Sequence, residues 1–172
     1  IRRFRTGYLH DEPPPVSVVV CARNEERDIG RCIESLRRLD YPADKLEIII
    51  VDDESDDRTA DIIERLTRRD PRFRPLSTKG TPRDLPAKQR PMNLGIMSAS
   101  HDIVLSTDAD CSVRPGWVWS HVTAFGENTG ICGGLTRIST ETGSLFDLFQ
   151  NSDLVSKLGV VMGCAGLGVP LT

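Results

Sequence analysis

A chain of 172 residues is long enough for one domain with a real hydrophobic core, and 38% hydrophobic with 27% charged residues is an ordinary soluble composition. A net charge of −3 lacks the basic excess of a nucleic-acid binder, so no nucleic-acid partner is expected. Five cysteines without a C-x-x-C pair suit a reducing compartment and argue against a disulfide framework or a zinc site, and no apolar run reaches the ~18–20 residues that cross a bilayer.

In chain order, "IRRFRTGYLH" carries Arg2, Arg3 and Arg5, and "EPPP" (12–15) follows as a stiff linker. Residues 1–13 read as a basic, Pro-rich tail of juxtamembrane type, with a plain solvated tail as the alternative. "VSVVVC" (16–21) is a continuous β-branched run, the pattern of a strand buried on both faces. "ARNEERDIGRCIESLRRLD" reads as a helix, with Ile29, Cys32, Ile33 and Leu36 on one face and Asn24 as its cap. "YPADK" is a turn and "LEIIIVDD" (46–53) a second buried strand. "SDDRTADIIERLTRRD" is a second helix capped near Ser55 or Asp56, acidic in its first turn and basic in its last. "PRFRPLS" reads as a short strand and "TKGTPRDLPA" as a loop. "KQRPMNLGIMSAS" reads as a helix with Pro91 in its first turn. "DIVLSTDAD" is a further strand. "RPGWVWSHVTAFGEN" reads as a helix opening at Pro115, "GICGGLTRIS" as a strand and "SLFDLFQNSDLVSKLG" as an amphipathic helix.

Buried strands alternating with helices predict βαβ units, hence an α/β fold with a mostly parallel central sheet flanked by helices. In such sheets ligands bind outside the carboxyl ends of the strands. "CARNE", "VDDESDD" and "STDAD" all fall at that edge, which random solvated turns would not favour.

The pair Asp108 and Asp110 closes an apolar strand, where two acids repel unless something cationic joins them. Mg²⁺ and Mn²⁺ take oxygen ligands, often one or two carboxylates plus phosphate oxygens, so D-x-D there suggests a metal and a diphosphate; a solvated turn is the bland reading. In "VDDESDD", Asp53, Ser55, Asp57, Asp61 and Glu64 stand at calcium-loop offsets, but Arg58 occupies the position that needs Gly. The better reading puts Asp53 at the strand end facing a ligand, where an acid hydrogen-bonds a base N–H or a ribose hydroxyl, with Ser55 and Asp56 or Asp57 capping the next helix. Lys79, Arg83, Lys88 and Arg90 lie near the same edge and suit a diphosphate, although with 22 Lys and Arg in the chain any single one is more often a solvated surface charge. The P-loop, the G-x-G-x-x-G fingerprint and the G-x-S-x-G elbow do not occur.

From about Pro14 onward these motifs resemble the family-2 glycosyltransferases, inverting enzymes of the Rossmann-like GT-A fold. "PVSVVVCARNEERDIGRCIESL" is similar to the family's first strand and helix, "LEIIIVDDESDDRTADII" to its second strand and acidic turn, and "DIVLSTDADC" to its metal-binding strand. "AKQRPMNLGI" resembles its Gly-Lys-x-x-Ala-[Leu/Met]-Asn-x-Gly-Ile segment, departing at Ala87 and Pro91. The resemblance implies that Ala22, Arg23, Asn24 and Glu25 border the base and ribose, that Asp53 binds the uracil edge, and that Lys88 lies near the diphosphate. It implies that Asp108 contacts ribose or the metal and that Asp110 coordinates the metal, Mg²⁺ or Mn²⁺. The implied activity is metal-dependent transfer, with inversion, of a sugar from a nucleotide-diphosphate sugar, a UDP-sugar, to a lipid or saccharide acceptor.

The family's Glu-Asp or Thr-Glu-Asp base motif does not occur between Cys111 and Thr172, where the acids are Glu127, Glu141, Asp147 and Asp153. Residues 14–172 are therefore expected to be the donor-binding part of a longer protein, with the catalytic base and the acceptor surface beyond Thr172. That protein is expected at the cytoplasmic side of a membrane, associated with it through segments outside this chain, while residues 1–172 are expected to be soluble. Two alternatives remain: a nucleotidylyltransferase, disfavoured because "CARNEERD" has no Gly before Gly30, and a non-catalytic nucleotide-binding domain.

Overall fold

The computed structural model describes residues 12–82, 85, 86, 89–125, 129–134, 136 and 152. The chain divides into two compact units, residues 1–130 and 131–172. In the first unit the described elements are β1 (Val16–Ala22), α1 (Ile29–Arg37), a 3₁₀ turn (Ala43–Lys45), β2 (Leu46–Asp52), α2 (Thr59–Thr67), β3 (Phe73–Ser77), α3 (Gln89–Ser98), β4 (Ile103–Asp108) and α4 (Trp117–Val122).

The four strands form one sheet in the order β3-β2-β1-β4, and every pair is parallel. Strand alternation sends successive side chains to opposite faces. Val16, Val18, Val20, Ile48 and Ile50 pack on one face with Ile29, Ile33 and Leu36 of α1, Ile63 of α2, and Val118 and Val122 of α4. Val19, Ile49 and Val51 pack on the other with Met92 and Leu94 of α3. Both faces are covered, which is why β1 and β2 are apolar along most of their length; the polar exceptions are Ser17 and Glu47, the first donating to the second at 2.8 Å, and Asp52 at the end of β2. The chain steps from β1 outward to β2 and β3, then returns to place β4 on the far side of β1. That reversal makes the carboxyl ends of β1 and β4 the topological switch point, the place where ligands bind in open parallel sheets.

Three predicted starts shift. α1 begins at Ile29, not after Asn24: the amides of Asp28 and Ile29 both bond to the Glu25 carbonyl, so a separate turn fills 25–28. Asn24 stands at φ 56°, a left-handed conformation that Asn tolerates better than most residues, and this breaks the helix path before it starts. α2 begins later than expected, at Thr59, and of the caps expected there it is Asp57 that accepts its first amide, Thr59 N–H, at 2.9 Å. α4 opens at Trp117, with Pro115 and Gly116 in the preceding turn. Pro91 is the third residue of α3, in its first turn as expected.

In the second unit, Ile131 to Gly134 lie in no regular element, so the strand expected over "GICGGLTRIS" is not formed in that part. The helix expected over 144–159 falls outside the described residues apart from Ser152, which is helical.

Candidate active site

Strand register brings the predicted clusters together. Cys21 pairs with Val51 on one side and Asp108 on the other, and Ala22 pairs with Asp52. Asp53 follows β2 directly and donates its backbone N–H to the Ala22 carbonyl at 2.8 Å. Burial first, then the charges of Asp53 and Asp108, push the Cys21 thiol up to about 11. The neutral thiol therefore lies between the two acidic strand ends.

Asp53 is 4% exposed. Its Oδ1 accepts the Thr78 hydroxyl at 2.7 Å and two bonds from the Arg90 guanidinium, from Nε at 3.2 Å and from Nη2 at 2.5 Å. Its Oδ2 faces Arg23 Nη1 at 3.7 Å. Burial alone would raise the Asp53 carboxyl, but the Thr78 and Arg90 hydrogen bonds and the Arg90 and Arg23 charges hold it below its ordinary value. It is a fixed carboxylate with one oxygen saturated and the other turned towards a half-exposed arginine. Its neighbour Asp52 is also buried, with Ser55 N–H 3.4 Å from Oδ2, while Oδ1 is buried without a hydrogen-bond partner.

Asp108 and Asp110 are exposed on either side of buried Ala109. Arg31 Nη2 donates to the Asp110 carbonyl at 2.8 Å, the Cys32 thiol to the Asp108 carbonyl at 3.8 Å, and Val113 N–H to Ser35 Oγ at 3.1 Å. All three α1 partners come from the helix face beside β4, so α1 clamps the turn. Asp108, Asp110 and Cys111 each offer a ligand atom within 4.8 Å of the others. Donors on opposite sides of one cation lie roughly 4.2–4.4 Å apart at bond lengths of about 2.1 Å to oxygen and 2.3 Å to sulfur. The 4.8 Å bound is slightly wider than that, so one divalent ion would draw the three side chains a few tenths of an ångström together. Burial, then the charges of Asp110, Asp28, Asp57 and Asp108, raises the Glu25 carboxyl, so this rim is acidic enough to favour a cation.

The loops after β1 and β2 are laced together. Asn24 N–H donates to Ser55 Oγ at 3.0 Å, and Asp56 N–H returns a bond to Asn24 Oδ1 at 2.8 Å. Glu25 N–H donates to buried Thr59 Oγ1 at 2.8 Å, and Glu26 N–H to Asp57 Oδ2 at 3.1 Å. Asn24 thus fixes the neighbouring loop instead of capping its own helix.

Of the residues expected at the site, Ala22, Arg23, Asn24, Glu25, Asp53, Asp108 and Asp110 gather at the carboxyl edge of β1, β2 and β4. Lys88 and Arg83 lie outside the described residues. Arg90 is no free phosphate ligand, because Asp53 and Glu54 engage it. Its role as counter-ion of Asp53, with Thr78 beside it, was missed; the one available signal was a basic residue in a helix that the sheet order sets against β2. Arg31 was missed as well, as one of 22 Lys and Arg residues with nothing local to set it apart.

The family model described as "Glycosyl transferase family 2" matches residues 17–155. A probable glycosyltransferase of Bacillus subtilis (strain 168), YdaM, is 31% identical over 146 residues, covering 84% of this chain and 34% of its own length. The mannosyltransferase PcManGT of Pyrobaculum calidifontis, solved with GDP-Man and Mn²⁺, superposes with TM-score 0.60 at 28% identity, over 69% of this chain and 34% of that one. The glucosyl-3-phosphoglycerate synthase of Mycobacterium tuberculosis, solved with Mn²⁺, UDP and glucosyl-3-phosphoglycerate, superposes with TM-score 0.52 at 27% identity, over 66% and 41%. The chain thus spans about a third to two-fifths of the length of these proteins. Its parallel sheet is the Rossmann-like GT-A fold, and a family match across most of its length agrees with the acids at the sheet edge: the chain belongs to glycosyl transferase family 2.

Proposed function

We propose that residues 14–172 are the donor-binding part of a metal-dependent, inverting glycosyltransferase whose donor is a nucleotide-diphosphate sugar with uracil as its base. The observation that carries this reading is the placement of Asp53 and the D-x-D acids at adjoining strand ends on either side of β1. The base lies by Asp53, whose Oδ2 accepts the uracil N3–H. The ribose borders Ala22, Arg23, Asn24 and Glu25, whose backbone the lacing to 55–59 holds rigid. Lys88 lies near the diphosphate. Asp108 meets ribose or the metal, and Asp110 coordinates the metal. A divalent cation, Mg²⁺ or Mn²⁺, supplies positive charge there against the charge that builds on the leaving diphosphate. The Mn²⁺ in both solved relatives supports a metal, and the UDP in one of them supports the base, although the other carries GDP-Man.

The transfer itself is a displacement in which a lipid or saccharide hydroxyl forms the new bond to the sugar's anomeric carbon, the bond to the diphosphate breaks, and a carboxylate takes the hydroxyl proton. That base and the acceptor surface belong to a longer protein at the cytoplasmic side of a membrane. Among the described residues no helix is long and apolar enough to cross one. The calorimetric test is UDP titrated with Mn²⁺, with Mg²⁺ and with chelator. Tighter binding with metal is expected; equal affinity in all three would overturn the reading.

A further inference from the structure

The D-x-D turn ends on a third donor that the family resemblance did not assign, Cys111. Its backbone N–H closes the turn on the Asp108 carbonyl at 3.2 Å, and its Sγ lies 3.5 Å from Asp110 Oδ1. The side chain is only partly buried, so an ion can reach it from solvent. The clamp from Arg31, Cys32 and Ser35 fixes the backbone on both sides of it and keeps the sulfur beside the acids.

We infer that Cys111 Sγ is a direct ligand of the cation held by Asp108 and Asp110, which makes this a mixed oxygen–sulfur centre that prefers thiophilic divalent ions to Mg²⁺. The inference rests on the proposed metal site at D-x-D. Two carboxylates alone form a hard donor set suited to Mg²⁺, which demands near-octahedral oxygen ligation and gives up water reluctantly. A sulfur in the set changes that order, because soft ligands select softer ions and add little for Mg²⁺. The centre is therefore expected to hold Co²⁺, Zn²⁺ or Cd²⁺ far more tightly than Mg²⁺. Thiophilic ions then compete with the ion that serves transfer.

The test is metal binding by the protein without any turnover. Cd²⁺ and Mg²⁺ are titrated by calorimetry into wild type, Cys111→Ser and Asp110→Asn, with and without UDP, and Co²⁺ binding is followed through its sulfur-to-metal charge-transfer absorption. Wild type is expected to show the cobalt–sulfur band. Cys111→Ser should lose the band and bind Cd²⁺ at least ~10–100-fold more weakly, the scale set by losing even an outer-shell partner, while its Mg²⁺ affinity changes little. Asp110→Asn should weaken both ions, tying the sulfur to the D-x-D centre. Cys111→Ser that keeps wild-type Cd²⁺ affinity would overturn sulfur ligation and leave the D-x-D reading intact. A cobalt–sulfur band unaffected by Asp110→Asn would place the sulfur at another thiol and overturn the inference too. Wild type that binds neither ion, even with UDP, would overturn both this inference and the reading beneath it.

Discussion

Gly95→Ala tests whether the seat of α3 on the sheet governs this fold. A Cβ at Gly95 would stand 2.4 Å from Val19 Cγ1 and 3.3 Å from Val51 Cγ2. Ordinary carbon contacts are about 3.5–4.0 Å, so the first is about 1 Å too short. Val19 and Val51 are fully buried and β-branched, with little rotamer freedom to move aside. The helix itself must therefore ride outward over β1 and β2. Overpacking of this kind costs about 1–3 kcal/mol, and Ala recovers up to about 1 kcal/mol through helix propensity. With the full helix-propensity gain the net is a loss of roughly 0–2 kcal/mol, and a chain of this size loses about 2–4 °C of melting temperature per kcal/mol. Gly30→Ala in α1 is the control, because its Cβ would meet only Leu66 Cδ1, at 3.8 Å. That variant should gain about 0.4–1 kcal/mol. Melting curves of both variants by circular dichroism decide the matter: Gly95→Ala as stable as Gly30→Ala would refute the argument. Because α3 carries Arg90, the shift should also weaken UDP binding in Gly95→Ala and leave it unchanged in Gly30→Ala.

Asp110→Ala should abolish the metal dependence of UDP binding while leaving the circular dichroism spectrum intact; metal-stimulated binding that survives would remove Asp110 from the site. UDP should outcompete CDP, ADP and GDP, since a buried Asp53 oxygen left without the uracil N3–H costs about 1–3 kcal/mol, and equal inhibition or a preference for GDP would count against it. The depressed Asp53 carboxyl stabilises the fold above its unfolded value of about 3.9, and that contribution is lost as pH falls through the lower folded value. The stability gap between wild type and Asp53→Asn should therefore be widest near neutrality and close in acid; a gap independent of pH in denaturant titrations would show that the ion pair is not its source. Residues 1–172 should bind donor without acceptor-dependent transfer, which a radiolabelled UDP-glucose or UDP-N-acetylglucosamine assay with mixed lipid and sugar acceptors checks directly.

Apolar runs and acids told most of the story in advance. β1 and β2 stood out because strands covered on both faces are rich in β-branched apolar residues, and the D-x-D turn stood out because paired acids directly after such a strand suggest a cation. Side-chain traffic between loops was not legible. Nothing local marks Asn24 as a partner of Ser55 and Asp56, which lie more than thirty positions away, so it looked like an ordinary helix cap. Arg90 was misread for a related reason: a cation near a supposed diphosphate suggests phosphate binding, and only the packing of α3 against β2 reveals that Asp53 occupies it. Of "GICGGLTRIS", Ile131 to Gly134 form no strand, and the three glycines at 130, 133 and 134 account for that, since glycine in a strand costs backbone entropy and offers no side chain to pack.

The lacing between residues 24–26 and 55–59 also bears on how this protein can change over time. Each loop supplies backbone amides to the other's side chains, in both directions. An inserted or deleted residue in either loop would shift every donor out of step with its acceptor, leaving several buried or half-buried groups unmet at once. Length variation should therefore be rare in both segments, and Asn24, Ser55, Asp57 and Thr59 should drift as a set rather than singly. Variation in sequence and length is then left to segments that do not carry this shared backbone.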